Sequence, residues 1–227
     1  MSRRAELQVL FCGVGGQGVL RAADVLGRAF FAAGKRVNLG QLHGMSQRGG
    51  SVSSFVLVGP VDAALLDGPP DLVVALEPLE GARAAASFGA NTTVLVNTHP
   101  VVPYERTRLG QGYPDEAALM ARITRHAGRV RAADVSAALA PEGLERAVGV
   151  AMLGALSLQP ALGGAGLPEG ALASALGTAR EAQRAFALGA ALRFDELRVA
   201  EPPRGAGTNQ PETPPSVGND DGLQARH

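Results

Sequence analysis

Apolar and polar positions come in blocks along this chain, and the blocks read as strands and helices in turn. Leu7-Gln8-Val9-Leu10-Phe11 is a short apolar run that stops at Gly13, which predicts a buried strand. From Val19 to Ala33, Leu20, Ala23, Leu26 and Phe30 recur at helical spacing, while Arg21, Asp24 and Arg28 fall on the opposite face. Gly34 ends that helix. Further strands are predicted over Arg36–Leu39, Ser51–Val58, Leu72–Leu76, Thr93–Val96 and Arg129–Ala132. Pro78 suits the first turn of a helix running to about Phe88, and another helix is expected from about Pro114 to His126.

Strands separated by helices of this size predict an α/β fold. The expected form is a Rossmann-like three-layer sandwich, with a mostly parallel sheet covered on both faces and a helical C-terminal part. After about residue 141 the pattern is helical only. The run Ala147–Leu156 has no polar face, so that helix is buried all round. It serves either as a central core helix or as a subunit interface, where Gly149 and Gly154 allow close approach. Two more helices are expected over about 168–177 and 179–192. Beyond Val199, proline, glycine and polar residues dominate. The globular domain is therefore expected over 1–198 and a disordered, Pro-rich tail over 199–227.

Composition narrows the classes. The 227 residues carry 21 Lys+Arg against 21 Asp+Glu, and 46 % are hydrophobic. A neutral chain without a basic block argues against nucleic-acid or membrane-surface binding. The apolar run Ala147–Leu156 is shorter than the roughly 18–20 residues a membrane span needs. No signal peptide is read at the N-terminus, so the expected location is cytoplasmic. One cysteine excludes a disulfide framework, a self-contained iron–sulfur cluster and a cysteine zinc site.

Candidate chemistry gathers where strands end. Gly13-Val14-Gly15-Gly16-Gln17-Gly18 joins the first strand to the first helix with G-x-G-x-x-G spacing. Glycines allow positive φ and close backbone approach, and the helix N-terminus offers N–H groups to an anion. A dinucleotide site also wants an acid roughly 20 positions on. Val37-Asn38-Leu39-Gly40-Gln41 supplies none. The loop is therefore either an anion cradle or a tight turn with no ligand. His43-Gly44-Met45-Ser46-Gln47-Arg48-Gly49-Gly50-Ser51 should lie at the same edge of the sheet. Arg48 there suits a carboxylate or phosphate, unless the segment is simply a solvated loop. Glu77 and Glu80 follow the fourth strand, as ligand groups or as helix caps. Asn97-Thr98-His99-Pro100 follows the fifth, as site or turn. Cys12 reads as a core residue, and the scattered histidines have no metal-ligand spacing.

Taken in order, Gly13–Val19, His43–Val52, Ala75–Glu80 and Val96–Thr98 with Pro103 resemble the gamma-type domain of 2-oxoacid:ferredoxin oxidoreductases. The His43–Gly50 loop and the Leu76–Glu80 segment are most similar to the small (beta) subunits of the indolepyruvate type. The resemblance covers roughly residues 7–195. It implies oxidative decarboxylation of a 2-oxoacid, an aryl pyruvate in the indolepyruvate type, with an acyl-CoA as product. It also implies a large alpha subunit that carries thiamine diphosphate, Mg2+ and [4Fe–4S] clusters, CoA as co-substrate, and ferredoxin as electron acceptor. The chain alone is then inactive and holds no catalytic acid or base and no metal. Its part is positioning. Gly13, Gly15, Gly16, Gln17, Gly18 and Arg48 would hold an anionic group such as a CoA phosphate or a substrate carboxylate. His43, Ser46, Gln47, Gly49, Glu77 and Asn97 would face substrate or the subunit interface. The alternatives are a stand-alone NAD- or flavin-binding oxidoreductase and a non-enzymatic assembly module.

Overall fold

A computed structural model describes residues 5–43, 50–60, 66–102, 108, 110 and 112–197. The tail expected over 199–227 lies outside the described residues. The described strands are β1 (Leu7–Val14), β2 (Val37–His43), β3 (Ser51–Val58), β4 (Leu72–Ala75), β5 (Thr93–Asn97), β6 (Arg129–Ala133) and β7 (Asp195–Leu197). The helices are α1 (Val19–Ala32), α2 (Pro78–Ala84), α3 (Glu116–His126), α4 (Val135–Leu139), α5 (Val148–Leu156), α6 (Pro160–Gly164), α7 (Ala171–Ala175) and α8 (Arg180–Ala191).

The strands form one sheet in the order β2-β3-β1-β4-β5-β6-β7. The centre is parallel, through the pairs β1–β4, β4–β5 and β5–β6. Both flanks are antiparallel, through β1–β3, β2–β3 and β6–β7. The expected α/β sandwich is present, but its parallel part is confined to the centre. β2 ends at His43 and β3 starts at Ser51, too few residues apart for a crossover, and the two pair antiparallel from Val37↔Val58 to His43↔Val52. A strand after residue 141 was not expected. The edge strand β7 is Asp-Glu-Leu, with no apolar face to announce it.

Side-chain alternation along β1 splits the core into two layers. Leu7, Val9 and Phe11 join α1, α5 and α8 on one face. Leu10 and Cys12 join α2 and α3 on the other. In α1, Ala23, Leu26 and Phe30 are buried as expected, but Leu20 is 37 % exposed and Ala22 is buried instead. All nine residues of α5 are buried, which matches the reading of a core helix. Its glycines serve contacts within the chain. A Cβ on Gly154 would meet the backbone of Phe186 and Ala190 on α8, and one on Gly189 of α8 would meet the backbone of Ala151. The two helices touch backbone to backbone. Among the described residues, no helix is long and apolar enough to cross a membrane.

Candidate functional site

The neighbouring parallel strands β1 and β4 send their helices to opposite faces of the sheet. That places a topological switch at their carboxyl ends, where open α/β sheets gather ligands. The Gly13–Gly18 loop forms one side of it. Gly16 and Gly18 have φ of 104° and 87°, which L side chains rarely adopt, and Gly18 caps α1. The loop's inner side is filled by its own Gln17. The Gln17 side-chain oxygen accepts from Val14 N–H at 2.8 Å, and its Nε2 donates to the Leu76 carbonyl at 3.0 Å. A Cβ at Gly13 would strike that amide oxygen at 2.8 Å. Gln17 therefore bridges the crevice between the two strands. A pyrophosphate laid there, as in a dinucleotide site, would have to displace it. No acid stands along Val37–Gln41 at the end of β2 either. The open side of the loop is outside, since a Cβ at Gly16 would meet nothing within 4 Å.

Helix α5 closes down on the same loop. Gly149 N–H donates to the Gln17 carbonyl at 3.2 Å, and a Cβ at Gly149 would press on the Gln17 and Gly18 oxygens at 2.9 Å. A cleft of about 370 Å³ lies beside this contact. It is lined by Gly18 and Arg21 of α1, by Arg146 and Gly149 at the start of α5, and by Ala179 and Glu181 at the start of α8. None of these three helices has a side-chain N-cap. A shallower recess of about 260 Å³ follows the outer side of the loop from Val14 to Arg21 and reaches Val52.

The ends of the His43–Ser51 segment sit at this edge, as expected. His43 pairs with Val52, Ser51 pairs with Val14, and Gly15 N–H donates to the Gly50 carbonyl at 2.9 Å. Ser46, Gln47, Arg48 and Gly49 lie outside the described residues, and of His43 only the backbone pairing is described.

Glu77 and Glu80 are both buried, at 0 % and 2 % exposure. Glu77 caps α2 by accepting from Glu80 N–H at 2.9 Å. It also accepts a short hydrogen bond from Tyr113 Oη and one from Val101 N–H at 3.4 Å. Burial pushes its carboxyl above the usual range, and the bonds from Tyr113, Glu80 N–H and Val101 N–H oppose that shift. Burial likewise raises the Tyr113 phenol, helped by its bond to Glu77. Glu80 accepts from Ser51 Oγ at 2.5 Å and pairs with Arg83 at 2.6 Å. The helix-cap reading of these acids thus describes Glu77, while Glu80 reaches across to β3. Asn97 is fully buried and fully used. Its Nδ2 donates to the Leu76 carbonyl at 3.0 Å and to Ser136 Oγ at 3.1 Å, and its Oδ1 accepts from Val135 N–H at 3.0 Å.

Gln17, Glu77 and Asn97 therefore shape the edge from within rather than present free side chains. Tyr113 and Ser136 are partners that sequence reading missed, while Ser51 and Gly149 stood in segments it singled out, though not as partners of Glu80 and Gln17. Each is remote in sequence from the group it serves, so no local pattern marks it.

Cys12 is buried on β1, and burial, then Glu80 and Glu77, push its thiol far up, so it supplies no thiolate. Among the described residues no three His, Cys, Asp or Glu side chains group as metal ligands. With one cysteine, and that one protonated, this donor set does not fit an iron–sulfur cluster.

Comparison with known proteins agrees with this architecture. The indolepyruvate oxidoreductase subunit IorB of Methanothermobacter thermautotrophicus is 34 % identical over 153 residues, covering 67 % of this chain and 78 % of the relative. Two solved structures share the fold at 20 % identity. The gamma subunit of a keto/oxoacid ferredoxin oxidoreductase from Geobacter sulfurreducens superposes with a TM-score of 0.56, over 81 % of this chain and 95 % of the other. A 2-oxoglutarate:ferredoxin oxidoreductase from Magnetococcus marinus, with 2-oxoglutarate, coenzyme A and succinyl-CoA bound, gives 0.55 over 88 % of this chain and 34 % of that longer one. Residues 8–193, which include the Gly loop, both buried acids and the apolar core helix, match pyruvate ferredoxin/flavodoxin oxidoreductase, and the chain belongs to that family.

Proposed function

We propose that this chain is the small subunit of a 2-oxoacid:ferredoxin oxidoreductase of the indolepyruvate type. The observation that carries the reading is the match to that family over residues 8–193, with an indolepyruvate oxidoreductase subunit at 34 % identity. In the proposed reaction the 2-oxoacid, an aryl pyruvate, loses CO2. Its acyl group passes to CoA and its electrons to ferredoxin, in the cytoplasm. Thiamine diphosphate, Mg2+ and [4Fe–4S] clusters, all on a large alpha subunit, supply the decarboxylation and the electron path. Residues 1–198 are the working domain of the small subunit.

The chain's own part is to bind and orient. The outer side of the Gly13–Gly18 loop offers backbone N–H groups and the positive end of the 14-residue helix α1. Arg48, a permanently charged and fork-shaped donor three residues before Ser51 in the sequence, is the proposed second anchor. Together they hold an anionic group, a CoA phosphate or the 2-oxoacid carboxylate, against the large subunit. His43, Ser46, Gln47 and Gly49 complete that wall or the subunit interface. Gln17 and Asn97 tie this edge together, since both donate to the Leu76 carbonyl.

In the assembled complex, Arg48→Ala should raise KM for CoA or for the 2-oxoacid by about 10- to 100-fold, the worth of one charge-assisted hydrogen bond. Steady-state kinetics on the purified heteromer checks this. Unchanged KM for both substrates, with normal assembly, removes the ligand-holding role.

A further inference from the structure

We propose that Glu80 is a positioning residue for the anion-holding loop, an inference that rests on the loop's role proposed above. Glu80 lies on α2, on the face of the sheet to which Ser51 also points, and its carboxylate reaches Ser51 Oγ at 2.5 Å. Ser51 opens β3 and pairs with Val14, the second residue of the Gly loop motif. The adjoining Gly50 carbonyl receives the Gly15 N–H at 2.9 Å. One carboxylate thus fixes the point where the His43–Ser51 segment re-enters the sheet, and that point in turn holds the outer strand of the Gly loop.

Ionised carboxylates are costly to bury, and a neutral acceptor would satisfy one serine hydroxyl. Glu80 is 2 % exposed and both of its oxygens are used, one by Ser51 and one by Arg83 at 2.6 Å. Arg83 is half exposed and neutralises the carboxylate from the solvent side, so Glu80 gives direction without placing a free negative charge beside an anion site. A charge-assisted bond to Ser51 is short and strongly oriented, which suits a group that must set the position of a loop end.

The test uses the assembled heteromer with Ser51→Ala, Glu80→Ala and Arg48→Ala, singly and combined. Ser51→Ala removes the other half of the same bond with little risk to folding. Both Ser51→Ala and Glu80→Ala should raise KM for the same substrate that Arg48→Ala affects, by about tenfold, with kcat within about twofold. The pair Ser51→Ala/Glu80→Ala should be no worse than Glu80→Ala alone. A fall in melting temperature with KM unchanged in both variants would make Glu80 merely structural and overturn the inference. A shifted KM in Ser51→Ala beside an unchanged KM in Arg48→Ala would overturn the Arg48 reading and leave Glu80 standing.

Discussion

Gly189→Ala should cost about 3 kcal/mol or more of stability, because overpacking a backbone contact is among the larger single-site losses. A methyl group at Gly189 would enter the Ala151 carbonyl on α5. Neither side can yield by a rotamer change, since both partners are backbone. The helices must separate, and α5 is the wholly buried helix whose N-terminus also closes on the Gly loop. For a domain with a total stability of about 5–15 kcal/mol, the loss is a large share. Chemical denaturation followed by circular dichroism reads it as a lower midpoint. Gly163→Ala on α6 is the matched control, since a Cβ there meets nothing within 4 Å. It should be neutral or stabilising by up to about 1 kcal/mol, as expected for glycine replaced in a helix. Equal effects at both positions would contradict the close α5–α8 contact.

Tyr113→Phe should cost about 2 kcal/mol where Glu77 is ionised, the size of a hydrogen bond to a buried charged group. The phenol donates to Glu77 and accepts from Leu79 N–H at 3.3 Å, so its loss weakens both the buried acid and the start of α2. The pH dependence has a defined sign. Burial raises the folded carboxyl of Glu77 above its unfolded value. The folded state therefore holds more protons in the window between the two values, and this group's contribution falls as pH rises through the folded one. Tyr113 opposes that rise by stabilising the carboxylate. Removing its hydroxyl raises the Glu77 carboxyl further, so the penalty is larger at pH above the folded Glu77 value than below it, where the acid is protonated in both proteins. Urea midpoints measured for both proteins from pH 4 to pH 8 check this; a penalty that grows toward acid pH would contradict it.

Much of the framework is legible because burial writes itself into local pattern. The apolar runs at Leu7–Phe11, Ser51–Val58, Leu72–Leu76 and Thr93–Val96 all became strands, with ends displaced by a few residues at most. The absence of a polar face on Ala147–Leu156 foretold a helix buried all round. Elements too short for a period, or without an apolar face, escaped. The five-residue α4 is too short for a periodic signal, and β7 is held by pairing at an edge rather than by an apolar face. The antiparallel flank was implicit in the short stretch of chain between β2 and β3, but alternation of strands and helices elsewhere hid it.

The site was legible as a set of chain segments and not as a set of contacts. The Gly loop, Glu77, Glu80 and Asn97 do meet at one edge of the sheet, as the strand ends require. What each side chain does there depends on partners from far along the chain. Gln17 is three residues from Val14, but the Leu76 carbonyl it bridges to is 59 residues away. Tyr113 is 36 residues from Glu77, and Ser51 is 29 from Glu80. No periodicity encodes such pairs. They explain why residues that look like ligand groups in the sequence are internal ties in the fold.

The role proposed for this chain is to complete an oxidoreductase whose cofactors lie on another subunit. The most direct measurement is 2-oxoacid-dependent reduction of ferredoxin, with CoA present, by the purified chain, by a large subunit bearing thiamine diphosphate and clusters, and by the two co-purified. Ferredoxin reduction by the heteromer on indolepyruvate or a related aryl pyruvate, and none by this chain alone, is the predicted result. Failure of the chain to associate with such a subunit, or full activity of the large subunit without it, would contradict the account.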